Sequence, residues 1–235
     1  MRHPTLSTML GAMAFVGLAG AAQAITVPGF ADPFAAGGAS VSGEAAAVKV
    51  NNTLIPGGVL NFSATGATDY SGGAPSGTPD GDLGYIYPMN ADYGTGIAGA
   101  LQVPVNALVG VFVGPGTPGG TPPAQLDYTS GLDHPSYTPG LDQIFFIGDG
   151  LTGTGFGATQ DFYVPMDATR LYLGTVDGSG WYNNTGAIEV SVSGSGLGAP
   201  IAPVPEPAAW TMMLLGVAAV GAAARRRGRT VLAGG

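Results

Sequence analysis

Between residues 25 and 203 the hydrophobic positions come in short runs, broken by Gly, Pro, Asn and Asp. Runs at 48–50, 59–62, 108–113, 143–147, 161–164, 170–176 and 187–192 are rich in Val, Ile, Phe and Tyr and bounded by turn residues, which predicts strands. In the last of these, Ile188, Val190 and Val192 alternate with Ala187, Glu189 and Ser191. One wet face and one buried face are expected there. No stretch shows the 3.6-residue spacing of an amphipathic helix. About seven short strands with long Gly/Pro connections predict an all-β fold, a β-sandwich of jelly-roll type, over 46–194. Segments 71–79, 114–123 and 127–140 read as loops. Residues 25–45 read as an extended lead-in, and 195–203 as a linker.

Both ends depart from this pattern. Arg2 precedes an apolar, small-residue run from Leu6 to Ala22, and Ala22-Gln23-Ala24 is an A-x-A site. This predicts a signal peptide over 1–24, cut after Ala24 by signal peptidase during Sec export. At the other end, 208–224 are 17 uncharged, mostly apolar residues, roughly 26 Å as a helix and enough for a thin hydrocarbon core. Arg225, Arg226, Arg227 and Arg229 follow and would stop transfer on the cytoplasmic side.

Val204-Pro205-Glu206-Pro207, then the hydrophobic segment, then the arginines resemble the PEP-CTERM sorting signal over 204–229. The resemblance implies cleavage near Pro-Glu-Pro by an exosortase, a membrane-embedded cysteine transpeptidase. It implies transient insertion in the inner membrane of a Gram-negative bacterium, then release to the cell surface or the extracellular matrix. An ordinary single-pass anchor is the alternative.

Composition narrows the chemistry. Gly and Pro number 42 and 19 of 235 residues, yet nine Phe, nine Tyr and two Trp supply a core, so the Gly and Pro mark turns. Without Cys there are no disulfides or thiolate sites, and two His, His3 and His134, exclude an imidazole-based zinc centre. With both ends removed, 14 acids face only Lys49 and Arg170, a net charge near −12. Such a surface repels nucleic acid and suits hard cations.

The segment Val176-Asp177-Gly178-Ser179-Gly180-Trp181-Tyr182-Asn183-Asn184-Thr185-Gly186 joins two expected strands. It carries a carboxylate, two amide oxygens and carbonyls beside Gly, an oxygen set that calcium accepts. An ordinary hairpin loop with Asn and Gly at positive φ is the alternative. Residues 171–193, together with 48–70, resemble the calcium-dependent, galactose-specific lectins of the LecA type, which are small β-sandwiches. That likeness implies a galactose-binding-like fold. It implies calcium ligands at the Tyr70 and Gly180 carbonyls and the Asp177, Asn183 and Asn184 side chains, with Asp177 and Asn183 also on the sugar. Gly180 stands where the family has Thr, and Asp80-Gly81-Asp82 fills the region of its sugar-contacting His and Gln. Trp181 and Tyr182 are expected either to stack on a sugar ring or to plug the end of the core.

No G-x-S-x-G occurs, a serine site would have to use His134, and nothing singles out an acid pair. The expectation is therefore a non-catalytic, exported protein that binds extracellular polysaccharide with calcium. A polysaccharide hydrolase and a matrix protein without a small ligand are the alternatives.

Overall fold

The computed structural model describes residues 23–39, 41, 45–86, 89 and 93–201. The expected Pro-Glu-Pro motif, the 208–224 helix, the arginine cluster and all of the signal peptide before Gln23 lie outside the described residues. The body, which ends at Pro200, is all-β, and each of the seven expected strands is present.

Five strands form one sheet in the order Gln23–Pro28, Thr185–Ser193, Val59–Asp69, Asp161–Tyr163, Ser136–Tyr137. Four form a second, in the order Ile144–Phe146, Leu108–Val113, Arg170–Thr175, Val48–Lys49. The alternation read from 187–192 is realised: Ile188, Val190 and Val192 are buried while Glu189 and Ser191 are exposed. These side chains meet Leu60, Phe62 and Phe162 of their own sheet and Leu108, Phe112, Phe145, Leu171 and Leu173 of the other in one core. The two sheets thus face each other, as in a sandwich. Phe145 and Phe162 bridge them at 5.8 Å, flanked by Phe112 at 5.0 Å and Phe62 at 5.0 Å.

The strand expected over 59–62 runs on to Asp69. Its second half, Ser63 to Asp69, is small and polar and carries little intrinsic strand signal. It is extended because it pairs residue by residue with the neighbouring strand, from Ser63↔Ser191 to Asp69↔Thr185; partner context overrides propensity. Gly66 is required in this ladder. Its φ is +117°, and a Cβ there would run into the Ala187 carbonyl oxygen.

Leu108–Val113 is buried at every residue. Leu108 and Phe112 enter the first core, whereas Val109, Val111 and Val113 enter a second with Phe34, Ile97, Ile144, Phe146 and Trp181. The continuous apolar run LVGVFV is the mark of a strand covered on both faces. The four-stranded sheet therefore lies between the five-stranded sheet and an outer layer of loops and a 3-10 turn, Pro33–Gly38, which Asp32 caps by accepting the Phe34 N–H at 2.8 Å. Arg170 ties that layer down, donating to the carbonyls of Gly37, Gly114 and Gly116.

Two boundaries differ from the sequence expectation. In the expected lead-in 25–45, the described residues up to Ala39 are not an arm: Gln23–Pro28 pairs with Thr185–Ser193, and Val27 and Phe34 are fully buried, one in each core. The supposed linker 195–203 contains the strand Leu197–Pro200, paired with Asn52–Leu54, and Leu197 is buried. Both segments read as connections because they are rich in Gly, Ala and Pro. Their strand character comes from the partner edge they cover.

Candidate functional site

The strand Arg170–Thr175 delivers the chain into the 176–185 connection. Val176 is fixed on both sides, its N–H donating to Ala107 O and its carbonyl accepting from the Asn106 N–H, each at 2.9 Å. Asp177 folds back on its own loop, Oδ1 accepting the N–H groups of Gly178 at 2.6 Å and Ser179 at 3.4 Å. Gly180, at φ +83°, opens the 3-10 turn Trp181–Asn183. The Trp181 indole points inward and donates to the Thr175 carbonyl at 2.9 Å. Its ring stands edge-on to Phe34 at 6.0 Å and Tyr93 at 6.3 Å. Asn184 Nδ2 and Thr175 Oγ1 both donate to the Gly29 carbonyl, at 3.1 and 2.6 Å.

The pairing Thr185↔Asp69 brings the Tyr70 segment to the same end of the sheet as this loop. The Thr185 hydroxyl donates to Gly73 O at 2.7 Å, and a Cβ on Gly72 would lie 3.2 Å from Asn183 O. Asp69 organises the turn, Oδ1 accepting from the Ser71 amide, the Ser71 hydroxyl and the Gly73 amide. Slight burial would raise its carboxyl, but these donors outweigh that and hold it below the usual carboxylate range. Tyr70 stacks on Tyr85 at 5.5 Å.

The expected calcium set therefore meets only in part. Tyr70 and Asn183 come to one end of the sheet, and Asn183 is exposed. Asp177 and Asn184 are buried and turned into the body. The Gly180 carbonyl accepts the Asn183 N–H within the turn, at 3.1 Å. Asn184 keeps one buried oxygen, Oδ1, without a donor; calcium takes six to eight oxygens. As placed, Asn183 is at the surface while Asp177 and Asn184 lie in the interior, so the set is divided. Among the described residues no three His, Cys, Asp or Glu side chains are grouped to hold a metal. Trp181 is 1% exposed, so sugar stacking is closed to it and core plugging is its role. The exposed aromatic of the loop is its neighbour Tyr182, at 70%.

A more enclosed cleft lies elsewhere, about 220 Å³ in volume and lined by Asp127, Tyr128, His134, Ser136, Tyr137 and Thr138, among others. Ser136–Tyr137 pairs in parallel with Asp161–Tyr163, and the Tyr137 ring stacks on Phe162 at 5.4 Å. Tyr128 lies 5.7 Å and His134 5.9 Å from the same ring. Gln160 pins the loop from beneath, donating to Leu132 O at 2.9 Å and His134 O at 2.8 Å. Burial pushes the Tyr137 hydroxyl up to about 12 and raises that of Tyr128 further, so both are neutral donors or acceptors. The Tyr137 hydroxyl donates to Leu132 O at 2.7 Å; the Tyr128 oxygen accepts the Phe146 N–H at 2.9 Å. Asp127, hydrogen-bonded by the Thr129 hydroxyl and amide, is held below the usual range and stays ionised. Aromatic faces beside a fixed carboxylate and hydroxyls match the mixed surface of a sugar ring.

Ser130 Oγ lies 3.1 Å from His134 Nε2. It is the one hydrogen bond of that ring among the described residues, so no carboxylate orients the imidazole as a triad requires. Sequence reading missed the cleft because its lining comes from one turn-rich segment, 126–139, that carries no motif. The available signal was a cluster of His, Tyr and Asp within 127–140, a segment otherwise made of turn residues.

Residues 203–227 match the PEP-CTERM protein-sorting motif. The motif indicates an exported protein that exosortase sorts at the membrane, destined for the cell surface or the extracellular space. No curated protein matches the chain.

Proposed function

We propose that this exosortase substrate is a non-catalytic surface or matrix protein whose β body binds extracellular polysaccharide in the cleft between 126–128 and 134–139. The observation that carries the reading is the cleft wall, where Tyr137 and His134 stand beside the ionised Asp127. Its volume, below the roughly 300–1,000 Å³ of drug-sized sites, suits a single ring of a polymer held weakly and repeatedly. The acidic surface favours neutral over polyanionic glycans. In this reading signal peptidase and the Sec machinery act first, exosortase next, in a Gram-negative cell envelope. Calcium at the 176–184 loop is no part of this reading.

The test is binding of the full-length protein to polysaccharide from the producing cells, with and without a calcium chelator. Binding that survives chelation and falls about tenfold or more in Tyr137→Ala and Asp127→Ala supports the proposal. Equal binding by both variants, or none by the wild type, removes it and leaves a matrix protein without a ligand. Release of reducing ends by the pure protein would make the cleft hydrolytic instead.

A further inference from the structure

Two turns, at 56–57 and 166–167, precede the strands Val59–Asp69 and Arg170–Thr175. They stand side by side. The Gly57 N–H donates to Val164 O and the Val164 N–H to Gly58 O, each at 2.9 Å, and a Cβ on Gly57 would lie 3.8 Å from Met166 Sδ. The Thr169 N–H donates to Val113 O at 3.0 Å, which brings Pro115 alongside. An open groove of about 480 Å³ results, walled by Leu54, Pro56, Pro115, Met166 and Ala168, with Asp167 its one acid among the described residues. Met166 is 73% exposed and Ile55, next to Pro56, 46%. Apolar side chains gathered on adjoining turns form a contiguous surface, which marks an interaction site.

The body's last strand is sewn to the same wall. Leu197–Pro200 pairs with Asn52–Leu54, Leu197 opposite Leu54 and Pro200 opposite Asn52. The Asn52 side chain donates to Gly198 O at 2.9 Å and the Thr53 hydroxyl to Ala199 O at 3.3 Å, and Thr53 and Leu54 line the groove. The chain therefore leaves the body beside this groove. Seven residues, 201–207, separate Pro200 from the apolar run 208–224 within the sorting motif. Fully extended they span at most about 25 Å. Charge points the same way. Arg170 follows Thr169 and donates to the Gly114 and Gly116 carbonyls on either side of Pro115, and Lys49 lies on the strand paired with Arg170–Thr175. The body's two cations thus flank the groove, which lowers the repulsion an acidic body otherwise meets at anionic headgroups.

We propose that this groove is a lipid-docking face. While the uncut apolar run holds the precursor in the bilayer, Met166 and Ile55 seat among the headgroups and the groove meets the acyl boundary beneath them. A short tether gives the face an effective concentration in the millimolar range. A contact of a few apolar side chains, too weak to hold a free protein on a membrane, is then occupied. Cleavage by exosortase removes the tether, and the same face lets the body go. The inference rests on the sorting motif and not on the polysaccharide reading, and it shares no residue with the 126–139 cleft.

The chain has no Cys, so single cysteines can carry a nitroxide without background. Full-length Met166→Cys, Tyr182→Cys and Ala219→Cys, spin-labelled and reconstituted at low density in vesicles of phosphatidylcholine and phosphatidylglycerol, test the proposal. Residue 182 is 70% exposed and lies past the opposite end of the strand Arg170–Thr175; residue 219 is in the apolar run. The ratio of relaxation by lipid-soluble oxygen to that by a water-soluble nickel chelate should be about tenfold higher at 166 than at 182. Ile55→Cys, labelled in a Met166→Asp background, should show that ratio about threefold lower than in the Met166 background. Both positions are exposed, so neither change touches the core. An equal ratio at 166 and 182 would overturn the docking face while a lipid-exposed 219 leaves the tether standing. Low access of both reagents at 166 would make the occupant protein, a second copy, and overturn it too. A water-exposed 219 overturns the tether and the proposal with it.

Discussion

Trp181 Nε1 donates to the carbonyl of Thr175 at 2.9 Å, from inside the second core. The bond closes the 176–181 loop on the strand that launches it and satisfies the one polar atom of the indole. The adjacent Tyr182 takes the solvent side. Two consecutive aromatics thus have opposite roles. Trp181→Ala is expected to cost about 3–5 kcal/mol, and Tyr182→Ala to stay within about 0.5 kcal/mol. Denaturant midpoints of the two variants check this; equal effects would contradict the inward placement.

Tyr128 and Tyr137 set an alkaline limit on stability. In each, burial favours the neutral phenol, which puts Tyr137 at about 12 in the folded protein and raises Tyr128 in the same direction. The unfolded value is about 10. A raised folded value means that the contribution is complete below pH about 10 and is lost as pH climbs through about 12. Tyrosinate absorbance should therefore show these two rings ionising late, together with loss of tertiary structure. Titration of all nine tyrosines near pH 10 with the fold intact would refute it.

Gly66 is the weak point of the long ladder. Gly66→Ala places a Cβ against Ala187 O at φ +117°, and a loss of about 1–3 kcal/mol is expected. Amide exchange should speed up along 61–69 and 185–193 more than in the four-stranded sheet. Unchanged exchange in that ladder would count against the pairing.

If signal peptidase cuts after Ala24, Ile25 becomes the first residue, opposite Val190. The new terminus then lies inside a paired strand whose Val27 is fully buried. Val27→Ala should cost about 2 kcal/mol and weaken the edge beside Thr185–Ser193. Chemical denaturation measures the loss, and no change would return 25–28 to the status of a lead-in arm. Terminal sequencing of the exported protein should begin at Ile25.

The strand set was legible in the chain because seven apolar runs were bracketed by turn residues, and the alternation at 187–192 gave the buried face outright. The sorting signal was legible too, since a Pro-Glu-Pro, an apolar stretch and an arginine cluster act as local chemistry and need no fold. What the sequence could not convey was partnership. Ser63 to Asp69 and Leu197–Pro200 have little strand propensity and are strands because an edge was waiting for them, while Gln23–Pro28 has strand formers in Ile25, Thr26 and Val27 but too short a run to show which edge it covers.

The same limit governed the site. The segment offered oxygens at 177, 180, 183 and 184, but the inward placement of Asn184 depended on Gly29, an acceptor 155 residues earlier in the chain. Residue type fixes what a side chain can bind; burial and the nearest donor or acceptor fix what it does bind. The 126–139 cleft is the counterpart. It carries no motif, and its aromatic face is set only where that segment packs on Phe162 and is held by Gln160.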